Sequence, residues 1–345
     1  MKKFIHIGFP KCLSTSLQRC FFSKHPEINY YGVGIKNNID YINDDISNLI
    51  EVFIRYASKS VFDENKEKLK TIVNKKLKES KKKGFRAAGI SAEIMSIGYS
   101  AFDNDRYEKA RRLKYIFGKN AKIIILIRNQ YDFLKSIYRE SIRLGYKRTF
   151  KEFVNFHYKF NCKSLISDIR YDDIVLIYRK LFSSKNVFVI PYESVITKNK
   201  KLIKDRDKYN LISKNLNKIL NLSYFNPIIK NLNKSLDDYV LYQKMVLNKT
   251  NPHELANDQF DLIESHRIIN YFKKKKVPHL KKDPYNDIKI KRKLIKKSID
   301  LAKTSRRKIN FKIDPKISLK LKNYFMVSNK KLKKILKVNL KKYGY

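Results

Sequence analysis

The sequence contains no tryptophan, and of its 345 residues only three are cysteine, nine glycine and eight proline. Three cysteines cannot build a disulfide scaffold. The spacing of Cys12, Cys20 and Cys162, with six scattered histidines, matches no zinc pattern either. So little glycine and proline excludes collagen-like and linker-dominated chains. Acidic residues are scarce: 32 Asp and Glu face 78 Lys and Arg, a formal net charge of +46. No apolar run approaches the roughly 18–20 residues that span a bilayer. The basic start, Met1-Lys2-Lys3, mimics a leader, but the apolar stretch that follows is broken by His6 and ended by Pro10-Lys11. The expectation is a soluble cytoplasmic protein with reduced thiols.

What is present is a core. Hydrophobic residues make up 43% and aromatics 13%, including 23 Tyr and 21 Phe, too many for a disordered chain. The cationic excess is mostly lysine and comes with abundant Asn and Ile, as AT-rich codons would favour. Two readings of it stand side by side. One is a solvated surface shaped by codon bias. The other is a face for phosphate, sulfate, acidic glycan, nucleic acid or anionic lipid. Runs such as Lys81-Lys82-Lys83 and Lys273 to Lys276 fit both.

Phe4-Ile5-His6-Ile7 reads as a short buried strand, Gly8-Phe9-Pro10-Lys11 as a turn, and the residues from Ser14 as a helix with Leu17, Cys20 and Phe21 on one face. A strand, a tight loop and a helix open an α/β sheet. Residues 41–83 are helical in pattern. Ala87 to Ile90, Lys122 to Ile127 and Asn186 to Ile190 read as further strands; the second is continuously apolar, as a strand covered on both faces must be. Tyr131, Leu134, Ile137, Tyr138 and Ile142 form a helical stripe. Beyond about residue 200 the pattern is mostly helical, interrupted near Asn226-Pro227 and Asn251-Pro252. Residues 273–295 read as irregular, and 316–340 return to helix. No internal repeat is visible.

Two stretches carry chemistry. In Gly8-Phe9-Pro10-Lys11-Cys12-Leu13-Ser14-Thr15-Ser16-Leu17, free N–H groups at a helix start lie beside a lysine, an arrangement suited to an anion. It is not the Walker A pattern, because Gly-Lys-[Ser/Thr] is missing. The plain alternative is that Ser14 is an N-cap and Lys11 one surface lysine among many. In the second stretch Arg128 ends the strongest strand, where open α/β sheets bind ligands, and Ser136 lies about two helical turns on. Together they can hold one phosphate by charge-assisted bonds. The alternative is a local pairing of Arg128 with Asp132.

In this order the two stretches resemble the sulfotransferases that use 3′-phosphoadenosine 5′-phosphosulfate (PAPS). Pro10-Lys11-Cys12-Leu13-Ser14-Thr15-Ser16-Leu17 matches the family's 5′-phosphosulfate loop. Arg128 and Ser136 match its 3′-phosphate pair at the family spacing. His25-Pro26-Glu27-Ile28 with Tyr31-Gly32, Val189 to Glu193, Ser328 to Leu332 and the closing Lys342-Tyr343-Gly344-Tyr345 extend the likeness, which is greatest to bacterial members thought to act on carbohydrates. Asn233-Lys234-Ser235 is also family-like. Leu13 stands where the family usually has Gly, Gln130 where Pro is common and Phe133 where a second Arg is frequent.

The resemblance implies a three-layer α/β sandwich like that of P-loop-containing nucleotide hydrolases, with a central, mostly parallel sheet and a largely helical C-terminal portion. Residues 1–345 form one domain: 1–200 the PAPS-binding core, 201–345 a basic portion shaping the acceptor cleft. The donor is held by Lys11, Cys12, Leu13, Ser14, Thr15, Ser16, Leu17, Arg128 and Ser136. The reaction is in-line transfer of the sulfuryl group to a hydroxyl or amine, with a glycan as the expected acceptor. Lys11 neutralises the leaving phosphate and Glu93 takes the acceptor proton; His6 competes for that role, and an ion pair with Arg86 is the alternative use of Glu93. Tyr192 and Glu193 are read as structural. No metal and no specific nucleic acid is called for, and peripheral membrane contact stays open, as does oligomeric state. Three rivals remain: a P-loop kinase or NTPase, a charge-driven nucleic-acid binder, and a catalytically degenerate, sulfotransferase-like polyanion-binding protein.

Overall fold

Lys122-Ile123-Ile124-Ile125-Leu126-Ile127 shows why the molecule is layered. Every residue after Lys122 is fully buried, so this strand needs apolar cover above and below. A computed structural model of the chain describes residues 1–36, 39–42, 46, 52–98, 104–143, 145–159, 164–195, 210–225, 227, 236–250 and 288–345. Cys162, Asn226, Asn233-Lys234-Ser235, Asn251-Pro252 and residues 273–287 lie outside them.

The strands are β1 (Lys2–Gly8), β2 (Ile28–Tyr30), β3 (Val33–Lys36), β4 (Ile39–Ile42), β5 (Ala87–Ser91), β6 (Lys122–Ile127) and β7 (Val187–Pro191). Five of them form one wholly parallel sheet in the order β2-β5-β1-β6-β7. The first strand of the chain is therefore the central one. Its register with β6 slips by one residue between His6 and Gly8, which re-aims the end of the strand. β3 and β4 pair as a separate antiparallel hairpin.

The helices between the strands are α1 (Ser14–Leu17), continued by a wider π-helical turn over Gln18–Phe22, then α2 (Lys59–Lys82), α3 (Arg106–Phe117), α4 (Gln130–Arg143), α5 (Phe150–Lys159), α6 (Leu165–Asp168) and α7 (Tyr171–Phe182). Local chemistry sets their ends. Ser58 accepts from the Val61 N–H at 3.3 Å and Asp105 from the Glu108 N–H at 2.8 Å. α3 packs against α2 and α7, and α7 against β6 and β7, and the burial of Phe4 to Gly8 and of Ile123 to Ile127 shows that β1 and β6 are covered on both sides. After β7 come α8 (Tyr192–Val195), α9 (Asn210–Leu220), α10 (Asp238–Thr250), α11 (Ile288–Ala302) and α12 (Pro315–Leu336). This α/β architecture with a central parallel sheet and a helical C-terminal portion is the one expected. Among the described residues no helix is long and apolar enough to cross a membrane.

Two expectations fail. Residues 41–83 are not helical throughout: Tyr41 and Ile42 belong to β4, and the helix begins only after the Ser58 cap. The short β-branched and aromatic segment Ile39-Asp40-Tyr41-Ile42 finds its partner in Val33–Lys36, a contact that helical periodicity cannot register. Residues 288–295 are helical, not irregular, as part of α11. Their lysines mask an apolar stripe, in which Leu294 is buried and the Ser298 hydroxyl donates to the Leu294 carbonyl at 2.6 Å.

Candidate functional site

Because the five strands are parallel, their carboxyl ends share one edge. The segments that leave that edge are Phe9 to Ser14 after β1, Ala92 to Ser96 after β5, Arg128-Asn129 after β6 and Tyr192-Glu193 after β7. Main-chain bonds tie them together: the Phe9 N–H donates to Leu126 at 2.7 Å and the Ala92 N–H to His6 at 2.8 Å.

The loop after β1 has an unusual backbone. Gly8, Lys11 and Leu13 all lie in the left-handed region, with φ of 83°, 62° and 70°. Leu13 therefore adopts the conformation that a glycine would take without strain, at a cost of about 1–2 kcal/mol. Leu13, and not Ser14, is the residue that caps α1, and no side chain bonds the helix start. The N-cap expectation for Ser14 is corrected: its buried hydroxyl donates back to the Phe9 carbonyl at 3.1 Å and closes the loop on itself. The chain turns too tightly at Leu13 for Ser14 to sit outside the helix. Cys12 and Leu17 are fully buried, and Ser16 nearly so. Burial pushes the Cys12 thiol far up, so it stays protonated.

Lys11 projects from this loop. Its ammonium lies 3.2 Å from the Glu140 carboxylate on α4, and Glu140 also accepts from Arg143. Burial alone would raise the Glu140 carboxyl; the Arg143 hydrogen bond and the charges of Lys11 and Arg143 outweigh it and hold the group below its ordinary value. Glu140 is thus a site neighbour that motif matching passes over. It stands four residues after Ser136, on the same helix face, and that spacing is the one signal that could have pointed to it.

Arg128 reaches across to the loop. Its Nη1 donates to the Lys11 carbonyl at 3.1 Å and its guanidinium lies over the Tyr192 ring, 4.8 Å from the centroid. Its Nε is buried without a partner among the described residues. Asp132 does not pair with it; that carboxylate sits 3.7 Å from Lys135. The turn carrying Arg128 is braced from far away. Tyr171 donates to the Arg128 carbonyl at 2.7 Å, and Glu193 accepts the Asn129 N–H at 2.7 Å and the Tyr345 hydroxyl at 2.9 Å. Asn129 donates to the Gly344 carbonyl and caps α4 through Tyr131 and Asp132. Burial raises the Glu193 carboxyl, and its hydrogen bonds oppose that. Gln130 bonds Asn329 at 2.7 Å, and Phe133 is core, packed edge-on to Phe9.

Glu93 begins the turn after β5, half-buried, against the end of β1. The fit is close: a Cβ on Gly8 would come within 2.5 Å of the Glu93 Cβ. The alternative use for Glu93 is not taken up by Arg86, which pairs with Glu27 at 3.3 Å. His6, the rival base, is fully buried and bonded to Ser91 at 2.6 Å. Burial pushes its imidazole down to about 3, so it is neutral and out of reach of solvent. Ser136 is half-buried on α4, one turn before Glu140.

The edge thus gathers Lys11, Glu93, Arg128 and Glu140, with Ser136 on the adjoining helix. None of them lines the cavity of about 330 Å³ between His157, Ser164, Ser167 and Tyr324. No group of metal-binding side chains occurs among the described residues. No family model matches the chain, and no curated protein does. Among solved structures it is similar to a sulfotransferase from Alicyclobacillus acidocaldarius, at 18% identity, covering 68% of this chain and 87% of that one, with a TM-score of 0.44. So remote a likeness carries no function by itself.

Proposed function

We propose that this protein transfers a sulfuryl group from PAPS to a hydroxyl or amine of an acceptor, with carbohydrates the first class to try. One observation carries the reading: the Arg128 guanidinium meets the Lys11 main chain at 3.1 Å, although the two residues are 117 apart in sequence. A phosphate-type loop and a strand-end arginine side by side on one sheet edge suit a ligand with two neighbouring anionic groups, as the 3′- and 5′-substituents of one ribose are. The buried Arg128 Nε has a donor to spare, and the left-handed loop turns N–H groups toward an anion.

In this reading the N–H groups from Cys12 to Ser16 hold the 5′-phosphosulfate, and Arg128 and Ser136 hold the 3′-phosphate. PAPS supplies the activated sulfur. The acceptor oxygen forms a bond to sulfur while the bond from sulfur to the bridging oxygen breaks. Glu93 takes the acceptor proton. Lys11 meets the negative charge on the departing phosphate, a contribution of roughly 10²–10³ in rate. To do so Lys11 must leave Glu140, and a dianionic phosphosulfate is the stronger competitor for a solvent-touched lysine.

The test is calorimetry with adenosine 3′,5′-bisphosphate and ATP, followed by transfer from ³⁵S-labelled PAPS to a glycan panel. Bisphosphate binding at least about tenfold tighter than ATP, with transfer lost in Lys11→Ala, is the expected result. Equal or tighter ATP binding would instead favour the kinase or NTPase reading. Binding without transfer to any acceptor favours the degenerate one.

A further inference from the structure

We propose that the outward face of α12 docks on an anionic lipid surface. This face is independent of the donor site. The helix is 22 residues long, so it presents a strip of about 33 Å. Its inward side is committed: Leu321, Phe325, Ser328 and Leu332 are buried, Phe325 packs edge-on to Tyr131, and Ser328 donates to Asp172. Its outward side carries Leu319, Met326 and Val327, which are 59%, 43% and 50% exposed. Lys316 and Lys320 flank this apolar half, and Lys330, Lys333 and Lys334 continue the face toward the C-terminus, all exposed.

The charge along α12 is one-sided. After Asp314 the chain has ten lysines and no acidic residue. α2 has nearly the same length and is also rich in lysine, yet it intersperses Asp63, Glu64, Glu67 and Glu79 and pairs Asp63 with Lys59 and Lys66. α2 thus mixes both signs, nine lysines with four carboxylates, whereas α12 carries seven lysines and no carboxylate. Asp314 itself is spent on capping α12 and lies 3.6 Å from Lys151.

The three apolar side chains decide between kinds of polyanion. A nucleic acid or a sulfated glycan binds lysine and leaves Leu319, Met326 and Val327 in water. A bilayer with anionic headgroups takes the lysines at its surface and the apolar side chains at the acyl boundary.

The experiment is flotation of the full chain with phosphatidylcholine vesicles, alone and mixed about three to one with phosphatidylserine. Binding to the mixed vesicles only, weakening as salt rises, is expected. Leu319→Ser/Met326→Ser/Val327→Ser should lower that partition about tenfold and leave heparin and duplex DNA binding unchanged. Lys330→Gln/Lys333→Gln/Lys334→Gln should lower it about a hundredfold, and the matched α2 variant Lys75→Gln/Lys78→Gln/Lys82→Gln less than about threefold. All nine positions are exposed, and thermal unfolding checks that each variant is folded. Should a serine variant unfold, Met326→Ser alone, with an expected loss of about threefold, replaces it. Equal binding to both vesicle types overturns the proposal. So does a serine variant that binds vesicles like the parent, which would make the face a polyanion surface, or an α2 variant that loses as much as the α12 one.

Discussion

Two turns leave the same sheet edge, and they are built in opposite ways. The turn after β1 is strained: Lys11 and Leu13 are left-handed, its cap has no side-chain bond, and the regular helix beyond it has only four residues. The turn after β6 has no left-handed residue and is held by Tyr171, Glu193, Tyr345 and Gly344 before it enters a helix of 14 residues. The first spends conformational energy on left-handed backbone at Lys11 and Leu13. The second uses contacts from distant parts of the chain to fix one guanidinium. A rigid arginine beside a tense loop is a sensible division of labour, because the strain of the loop is tolerable only if its neighbour does not move.

The contrast can be broken at its strongest link first. Arg128→Ala removes the bond to the Lys11 carbonyl and the contact with Tyr192; affinity for adenosine 3′,5′-bisphosphate should fall about 10²–10³-fold by calorimetry. Unchanged affinity would separate the two turns functionally. Acid should act next, through the strand that feeds the strained turn. The unfolded chain binds a proton at His6 near pH 6.5, whereas the folded one does so only near 3. Folding stability is therefore full above 6.5 and declines as pH falls toward 3, by roughly 3 kcal/mol at pH 4 from this group alone. The pH dependence of the urea midpoint measures it, and His6→Gln should flatten the curve. A variant that tracks the parent would place the proton elsewhere.

Gly8→Ala comes third. At φ 83° the added methyl meets Glu93, and a loss of about 2–3 kcal/mol in urea unfolding is expected. Gly8→Ala at parental stability would show that Glu93 is free to withdraw. The smallest effect sharpens the comparison from the other side. Leu13→Gly relieves the left-handed strain and gives up the partial packing of Leu13 on the core, so stability should rise, by less than about 1 kcal/mol. A drop of more than about 2 kcal/mol in the same assay would mean that packing, not strain, governs the loop.

Much of this edge was legible in the residues. β6 matched its apolar run to the residue, because five consecutive buried positions leave no other pattern. β1, β5 and β7 were visible for the same reason, with boundaries one or two residues off. Lys11 and Arg128 could be singled out because each follows a strand end. Glu140 was harder to single out: only its place one turn after Ser136 hints at it, and its partner Lys11 lies about 130 residues earlier. The β3–β4 hairpin and α11 were missed where short pairing segments or lysine runs conceal the period.

By itself, then, the sequence determined which segments must be buried and which residue types stand at their ends, since those follow from local pattern and composition. Only the tertiary structure decided that β1 is central, that Leu13 accepts a glycine's backbone, that Arg128 lies across Lys11 and upon Tyr192, and that the C-terminal Tyr345 secures the turn beside them. Those are contacts between residues far apart in the chain, and their energies depend on distances that no local pattern encodes.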